Sequence, residues 1–236
     1  MLKLISLLAK QSKLASIHPL EKMILSISPI IIIGFTQNYN IIILNILVFI
    51  ILHLLASNNK KIFTKITLEV TGFALISSIT FVFDYGFYYV SIILLKSVSA
   101  GLCLSYFSLT TPIDDVLYFF SKIDFLKDMC DISKSMERFL VLINDEYIIL
   151  YNSIKSRGGF ESFSLKVKNT GKMAGLIFVN TMNRWKVIRE ALHSRGYRGY
   201  TPYLDKNFDF SLKRAILVII YIVMLVLLVY LNIFFF

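Results

Sequence analysis

Three histidines, two cysteines and fifteen acids are the residues of this 236-residue chain that could hold a metal ion or move a proton. Their spacing favours neither task. His18, His53 and His193 stand far apart, and one histidine without nearby His, Cys or carboxylate partners makes a poor metal site. Cys103 lies in an apolar run and Cys130 in a polar one, with neither metal-site spacing nor a disulfide framework. Asp114–Asp115 and Asp145–Glu146 are neighbours on helical stretches, so their side chains project about 100° apart and do not converge on one substrate. They read as solvated helix faces. "NTGKMAG" carries Gly171-Lys172, but Lys166 stands where a phosphate-binding loop needs its first glycine. Neither H-E-x-x-H nor a nucleophile constellation occurs. Lys96 lies in an apolar stretch, where a charge faces protein or water and can mark a transport pathway; a partner contact or a shifted span boundary explains it equally well.

Arginine carries the other chemistry. Ser156-Arg157-Gly158 and Ser194-Arg195-Gly196 each close a helical stretch, followed by "GF" in one case and "YRGY" in the other. Gly158 and Gly196 suit the left-handed conformation that ends a helix. A cation in the last turn is favoured by the exposed carbonyls, by up to about 1 kcal/mol. That cap reading explains either copy singly. Two copies on successive amphipathic helices point further, to planar five-donor guanidinium groups offered to carboxylates or carbonyls of a partner.

The elements that must hold these arginines are membrane elements. Hydrophobic residues make up 56% of the chain and charged ones 17%, below the roughly 25% of a soluble domain; mean hydropathy is +0.70. The formal charge of +10 could suggest nucleic acid, but a basic nucleic-acid binder has no use for long apolar runs. Lys and Arg excess in a membrane protein marks cytoplasmic loops. Apolar runs of the roughly 20 residues a bilayer needs predict about five spans, at 17–35, 40–57, 68–83, 88–109 and 215–236, with turns at "TQNYN" and "DYG". Every basic cluster falls on one side if the N-terminus is cytoplasmic, which places the C-terminus outside. The expected fold is an all-α polytopic membrane protein. Its parts are a four-span region at 1–109, a cytoplasmic segment at 110–212 and a last span at 213–236.

Within the cytoplasmic segment, Thr111-Pro112 and Asp114-Asp115 form a helix start. Met136, Phe139, Leu140, Ile143, Tyr147, Leu150 and Ile154 recur at steps of three and four, predicting a helix at 135–157. Ile177, Phe178, Met182, Trp185, Ile188 and Leu192 predict another at 173–195. At the N-terminus the apolar stretch from Leu4 to Ala9 is too short for a signal peptide. Leu4, Leu7, Leu8 and Leu14 suit one face of an interfacial helix instead.

"YNSIKSRGGF" and "NRWKVIREALHSRGYRGY", with "IHPLEKMIL" before the first span and "TTPIDDVLYFFSKI" after the fourth, resemble the transmembrane (T) component of energy-coupling factor transporters. The branch most similar is the one associated with cobalt uptake. Serine stands in both motifs where the family usually has alanine. The resemblance implies a non-catalytic coupling subunit of an ABC-type transporter in the cell membrane. Its partners would be two P-loop ATPase subunits holding ATP and Mg, and a substrate-capturing membrane subunit; no nucleic acid is implied. The chain itself would bind no cofactor, and its solute would be cobalt or another divalent ion. The docking residues carried over are Ser156, Arg157, Gly158, Ser194, Arg195 and Gly196. An intramembrane lipid-modifying enzyme, a stand-alone channel or exporter, and a T component serving vitamin uptake are the competing readings.

Overall fold

The structure, a computed structural model, describes residues 2–196 and 208–235. It is that of an all-α polytopic membrane protein. Two compact units divide the chain: residues 1–116 with 205–236, and residues 117–204. The first holds α1 (Leu2–Gln11), α2 (Pro19–Gly34), α3 (Tyr39–Leu55), α4 (Lys60–Thr110) and α8 (Leu212–Phe235). The second holds a 3₁₀ turn (Asp124–Leu126), α6 (Lys127–Ser156) and α7 (Phe163–Ser194), and α5 (Ile113–Phe120) crosses the boundary. Thr110 had been the expected boundary. The first unit extends past it because Thr111, Pro112 and Asp115 are buried there.

Polar residues at the breaks explain where the membrane helices begin. His18 Nδ1 accepts from the Leu20 amide at 3.3 Å and Pro19 opens α2, so one free amide is capped and another is missing by construction. Asn38 caps α3 and Asn59 caps α4 in the same way, at 3.0 and 3.1 Å. α4 is folded on itself at Gly86, whose φ of 77° and ψ of 173° are non-helical. Its arms, Lys60–Phe83 and Tyr85–Thr110, run antiparallel: Ser97 Oγ donates to the Val70 carbonyl at 3.4 Å. One turn further along, a side chain at Gly101 would meet Thr67 Cα at 3.2 Å, so glycine permits the close approach of the arms.

Both arms of α4, together with α8, are long and apolar enough to cross a membrane. α2 and α3, with 16 and 17 residues, reach only about 24–26 Å against a hydrocarbon core of about 30 Å. α3 thus stands at the short end of the roughly 17–25 residues that span a bilayer, and α2 just below it. Where Leu4, Leu7, Leu8 and Leu14 were expected to share a face, α1 stops at Gln11 and its most buried described residue is Ala9. The helix is tied down by charge, with Lys10 Nζ 2.7 Å from Asp114.

The core of this unit joins Phe49 of α3 and its C-cap residue Ala56 to Leu102, Cys103 and Tyr106 of α4. Asn45 and His53, polar and fully buried inside it, find internal partners, as groups must where water is absent. Asn45 donates to Ser99 Oγ at 2.6 Å and accepts from the Tyr221 hydroxyl, joining α3, α4 and α8. Each interhelical bond of this kind contributes about 0.6 kcal/mol in a membrane bundle.

In the second unit α6 and α7 run to 30 and 32 residues, about 45 and 48 Å. Both begin eight to ten residues before the apolar stripes at 135–157 and 173–195. Those first turns are mostly polar and exposed, so periodicity of apolar residues does not report them.

Candidate functional site

The two arginine motifs end their helices in the same backbone state. On α6 the Gly158 amide donates to the Lys155 carbonyl at 3.1 Å and the Gly159 amide to the Ile154 carbonyl at 3.0 Å. This is the pair of bonds that closes a helix on a left-handed glycine, and Gly158 has φ +69°. On α7 the Gly196 amide donates to the His193 carbonyl at 3.0 Å with φ +68°. Arg157 and Arg195 are the C-cap residues. Both side chains are exposed and make no hydrogen bond or ion pair among the described residues. Each serine hydroxyl turns inward on its own helix, Ser156 Oγ to the Ser153 carbonyl and Ser194 Oγ to the Glu190 carbonyl, both at 3.0 Å. The motifs thus present arginine and hold back serine.

Past its glycine the first tip is held by its neighbours. Phe160 of the first stacks on Tyr151 at 5.1 Å, and Asn169 Nδ2 donates to the Gly159 carbonyl at 2.7 Å. The "YRGY" that follows the second motif lies outside the described residues.

One acid locks the two helices together. Glu146 of α6 accepts from Asn180 Nδ2 and from Arg184 Nη2 of α7, both at 2.7 Å, and its side chain is only 14% exposed. The reading of Asp145–Glu146 as a solvated face therefore fails at Glu146, because α7 covers it. Arg157 follows Glu146 by eleven residues and Arg195 follows Arg184 by eleven, so each tip stands about 16 Å along its helix from the clamp. That matched offset of opposite charges was present in the sequence and was the signal missed. Around the clamp the helices expose apolar side chains, among them Met136, Leu140, Phe178, Val179, Met182 and Trp185. A face so apolar marks a contact with another protein or with lipid.

The remaining candidates resolve into structural roles. His53 is fully buried; Asn58 Nδ2 lies 3.0 Å from its Nδ1, while its Nε2 reaches the Leu102 carbonyl at 3.2 Å and Ser105 Oγ at 3.0 Å. With both ring nitrogens engaged and Phe63 stacked on it at 4.3 Å, it is an interface residue. Lys96, near the middle of its arm, donates to the Gly34 carbonyl at 2.8 Å. It supplies a cation to the last turn of α2, the favoured sign at a helix C-terminus. Asp115 is buried and Asp114 pairs with Lys10, so this acid pair is not a solvated face either. Burial, reinforced by the Asp131 carboxylate, pushes the Cys130 thiol up, which leaves little reactive thiolate. No group of three or more His, Cys, Asp or Glu among the described residues could hold a metal ion.

Comparison with known proteins places the chain in a family. The family described as CbiQ, cobalt transport protein, matches residues 10–204. The chain belongs to that family. CbiQ is the T component of energy-coupling factor transporters, so the molecule is a permease component of a membrane transporter. Among relatives, a putative fused cobalt transport protein CbiMQ of Methanocorpusculum labreanum is 24% identical over 134 residues, covering 56% of this chain and 22% of that protein. The uncharacterized protein MJ1089 of Methanocaldococcus jannaschii is 22% identical over 248 residues, covering 95% and 91% respectively. The chain thus spans about a fifth of the fused protein and nearly all of the archaeal relative. In this chain α6 and α7 end at Arg157 and Arg195.

Proposed function

We propose that this CbiQ protein couples ATP hydrolysis by two partner ATPases to uptake of cobalt or another divalent cation held by a membrane capture subunit. Arg157 and Arg195 are the docking residues, one for each ATPase. Ser156, Gly158, Ser194 and Gly196 shape the helix ends that present them. ATP and Mg belong to the ATPases and the cation to the capture subunit, so this chain performs no chemistry. The N-terminus and both tips face the cytoplasm, and the C-terminus lies outside.

The observation that carries this reading is the pair of exposed, unengaged guanidinium groups on matching glycine caps, set at equal offsets from a shared clamp. A helix is stiff over a few turns, so a displacement imposed at either tip reaches the clamp as movement of a rod. Equal offsets give equal leverage to two equal motors. A planar guanidinium fits carboxylates and carbonyls in a groove better than lysine would, and removing an arginine anchor of this kind costs about 2 kcal/mol or more in binding.

Co-purification in mild detergent with the candidate ATPases tests the reading. The wild-type chain is expected to retain them, and the double variant Arg157→Ala with Arg195→Ala to lose them while staying helical and monodisperse. Retention by the double variant would reduce the arginines to helix caps. A wild-type chain that binds no ATPase would end the coupling reading.

A further inference from the structure

The backbone passes twice between the two units, leaving the first after residue 116 and re-entering it at residue 205. Each link has a non-helical stretch. Thr111, with φ −125° and ψ 108°, is extended between α4 and α5, and residues 208–211 precede α8 without helix. Such joints between stiff rods are where hinges form, yet one short segment ties down both. On the outgoing link Lys22, 3% exposed, donates to the Thr110 carbonyl at 2.8 Å and to the Leu14 carbonyl at 3.0 Å. Thr110 ends α4, so its carbonyl has no partner within the helix. The half-exposed pair of Lys10 and Asp114 adds a weaker, solvent-screened tie. On the returning link the Asp209 amide donates to the Ser16 carbonyl at 3.0 Å. The His18 ring meets Phe208 and Phe210 edge-on, with centroids 5.7 and 6.1 Å away, and Glu21 Oε2 lies 3.5 Å from Arg214 Nε. Glu21 and Lys22 are neighbours in the first turn of α2, so they project about 100° apart. Each takes a different link.

We propose that residues 10–22 form a clasp that holds both links to the start of α2, so that a displacement of the second unit moves α2, the end of α4 and the start of α8 together. Left untied, the extended stretches at Thr111 and at 208–211 would absorb such a displacement as changes in backbone angle. The clasp removes that slack at its two weakest points. Lys22 is the main tie of the outgoing link, because it is buried and bonded twice. The backbone bond to Ser16 and the rings around His18 are the main ties of the returning one. Lys22 and His18 are positioning residues that act through the links. The use made of the movement rests on the coupling function proposed above; the clasp itself does not.

Hydrogen exchange of the full chain in lipid nanodiscs, read by mass spectrometry, tests the clasp from one link to the other. His18→Asn keeps a side chain that can accept from the Leu20 amide and removes the ring contacts to the returning link. Exchange is expected to quicken about tenfold across 111–116, on the outgoing link, as coupling within one network predicts. Lys22→Met, close in shape but without the ammonium, is expected to do the same at the Asp209 amide on the returning link. If Lys22→Met does not fold, His18→Asn decides alone. Faster exchange confined to the link that carries the substitution overturns the clasp, as does exchange unchanged at both. In the complex with the ATPases, His18→Asn is expected to raise the ATP hydrolysed per cation transported while the ATPases stay bound; a wild-type ratio overturns the relay. A wild-type chain that binds no ATPase ends the coupling function alone, and the exchange experiment still decides the clasp.

Discussion

The tips at Arg157 and Arg195 share a tripeptide and a glycine φ within a degree of each other, yet their surroundings differ. A side chain at Gly158 would meet Glu161 Oε1 at 2.7 Å, and one at Gly159 would meet Ile154 Cγ2 at 2.4 Å. At Gly196 the same construction meets nothing within 4 Å among the described residues. The first tip is built into a tight turn that leads straight into α7. The second meets no such neighbour among the described residues. Identical capping chemistry thus closes a first tip that is braced by its neighbours and a second that makes no such contact among the described residues.

The largest effect is expected at Gly159. In Gly159→Ala the new Cβ collides with Ile154, including its carbonyl oxygen at 2.9 Å, and with Asn169 Nδ2 at 2.9 Å. Backbone cannot yield as a flexible side chain does, so overpacking of about 1–3 kcal/mol is expected, with loss of the Asn169 bond adding about 1. Hydrogen exchange should rise across 154–163 and leave the end of α7 unchanged. Exchange that rises equally at both tips would show that they are one cooperative element, and the contrast between them would be lost.

The glycine substitutions that copy one another come next. Gly158→Ala and Gly196→Ala both place a side chain at positive φ, costing about 1–2 kcal/mol. Gly158→Ala also displaces the Glu161 carboxylate and is expected to lower the midpoint of thermal unfolding further. A Gly196→Ala variant as damaging as Gly158→Ala would mean that the second tip is as braced as the first.

Much of this contrast was hidden from sequence, for identifiable reasons. The spans at 68–83, 88–109 and 215–236 were legible because long apolar runs have one solution in lipid. Both caps were legible because glycine at a helix end reports positive φ directly. The early starts of α6 and α7 were not, since polar first turns carry no apolar period. Lys96 could not be assigned from sequence either, because its partner is a backbone carbonyl 62 residues away. Glu146 was misread for a related reason: its neighbour Asp145 suggested a wet face, while the residues that cover it lie 34 and 38 positions further on.

Glu146→Gln probes the feature the tips have in common. Glutamine can still accept from Asn180, but the ion pair with Arg184 is lost. With the Arg184 side chain 51% exposed, solvent screens the pair and the expected loss of stability stays below about 1 kcal/mol. Distances between spin labels beside the two tips should broaden, and ATP hydrolysed per cation transported should rise, while ATPase co-purification persists. Distances as narrow as in the wild type would move the pivot elsewhere along α6 and α7.

Ser156→Ala and Ser194→Ala should do least of all. Each hydroxyl is already bonded to a carbonyl of its own helix, three or four residues back. Such bonds add little to a helix, and alanine has the better helix propensity, so stability should change by less than about 0.5 kcal/mol. Affinity for the ATPases, titrated by surface plasmon resonance on the immobilised complex, should be unchanged for both variants. A loss confined to one serine would mean that its hydroxyl leaves the helix on docking and contacts the motor directly. At the braced first tip the turn leaves that rotation little room, so a loss at Ser156 alone would mean that the turn itself opens on docking.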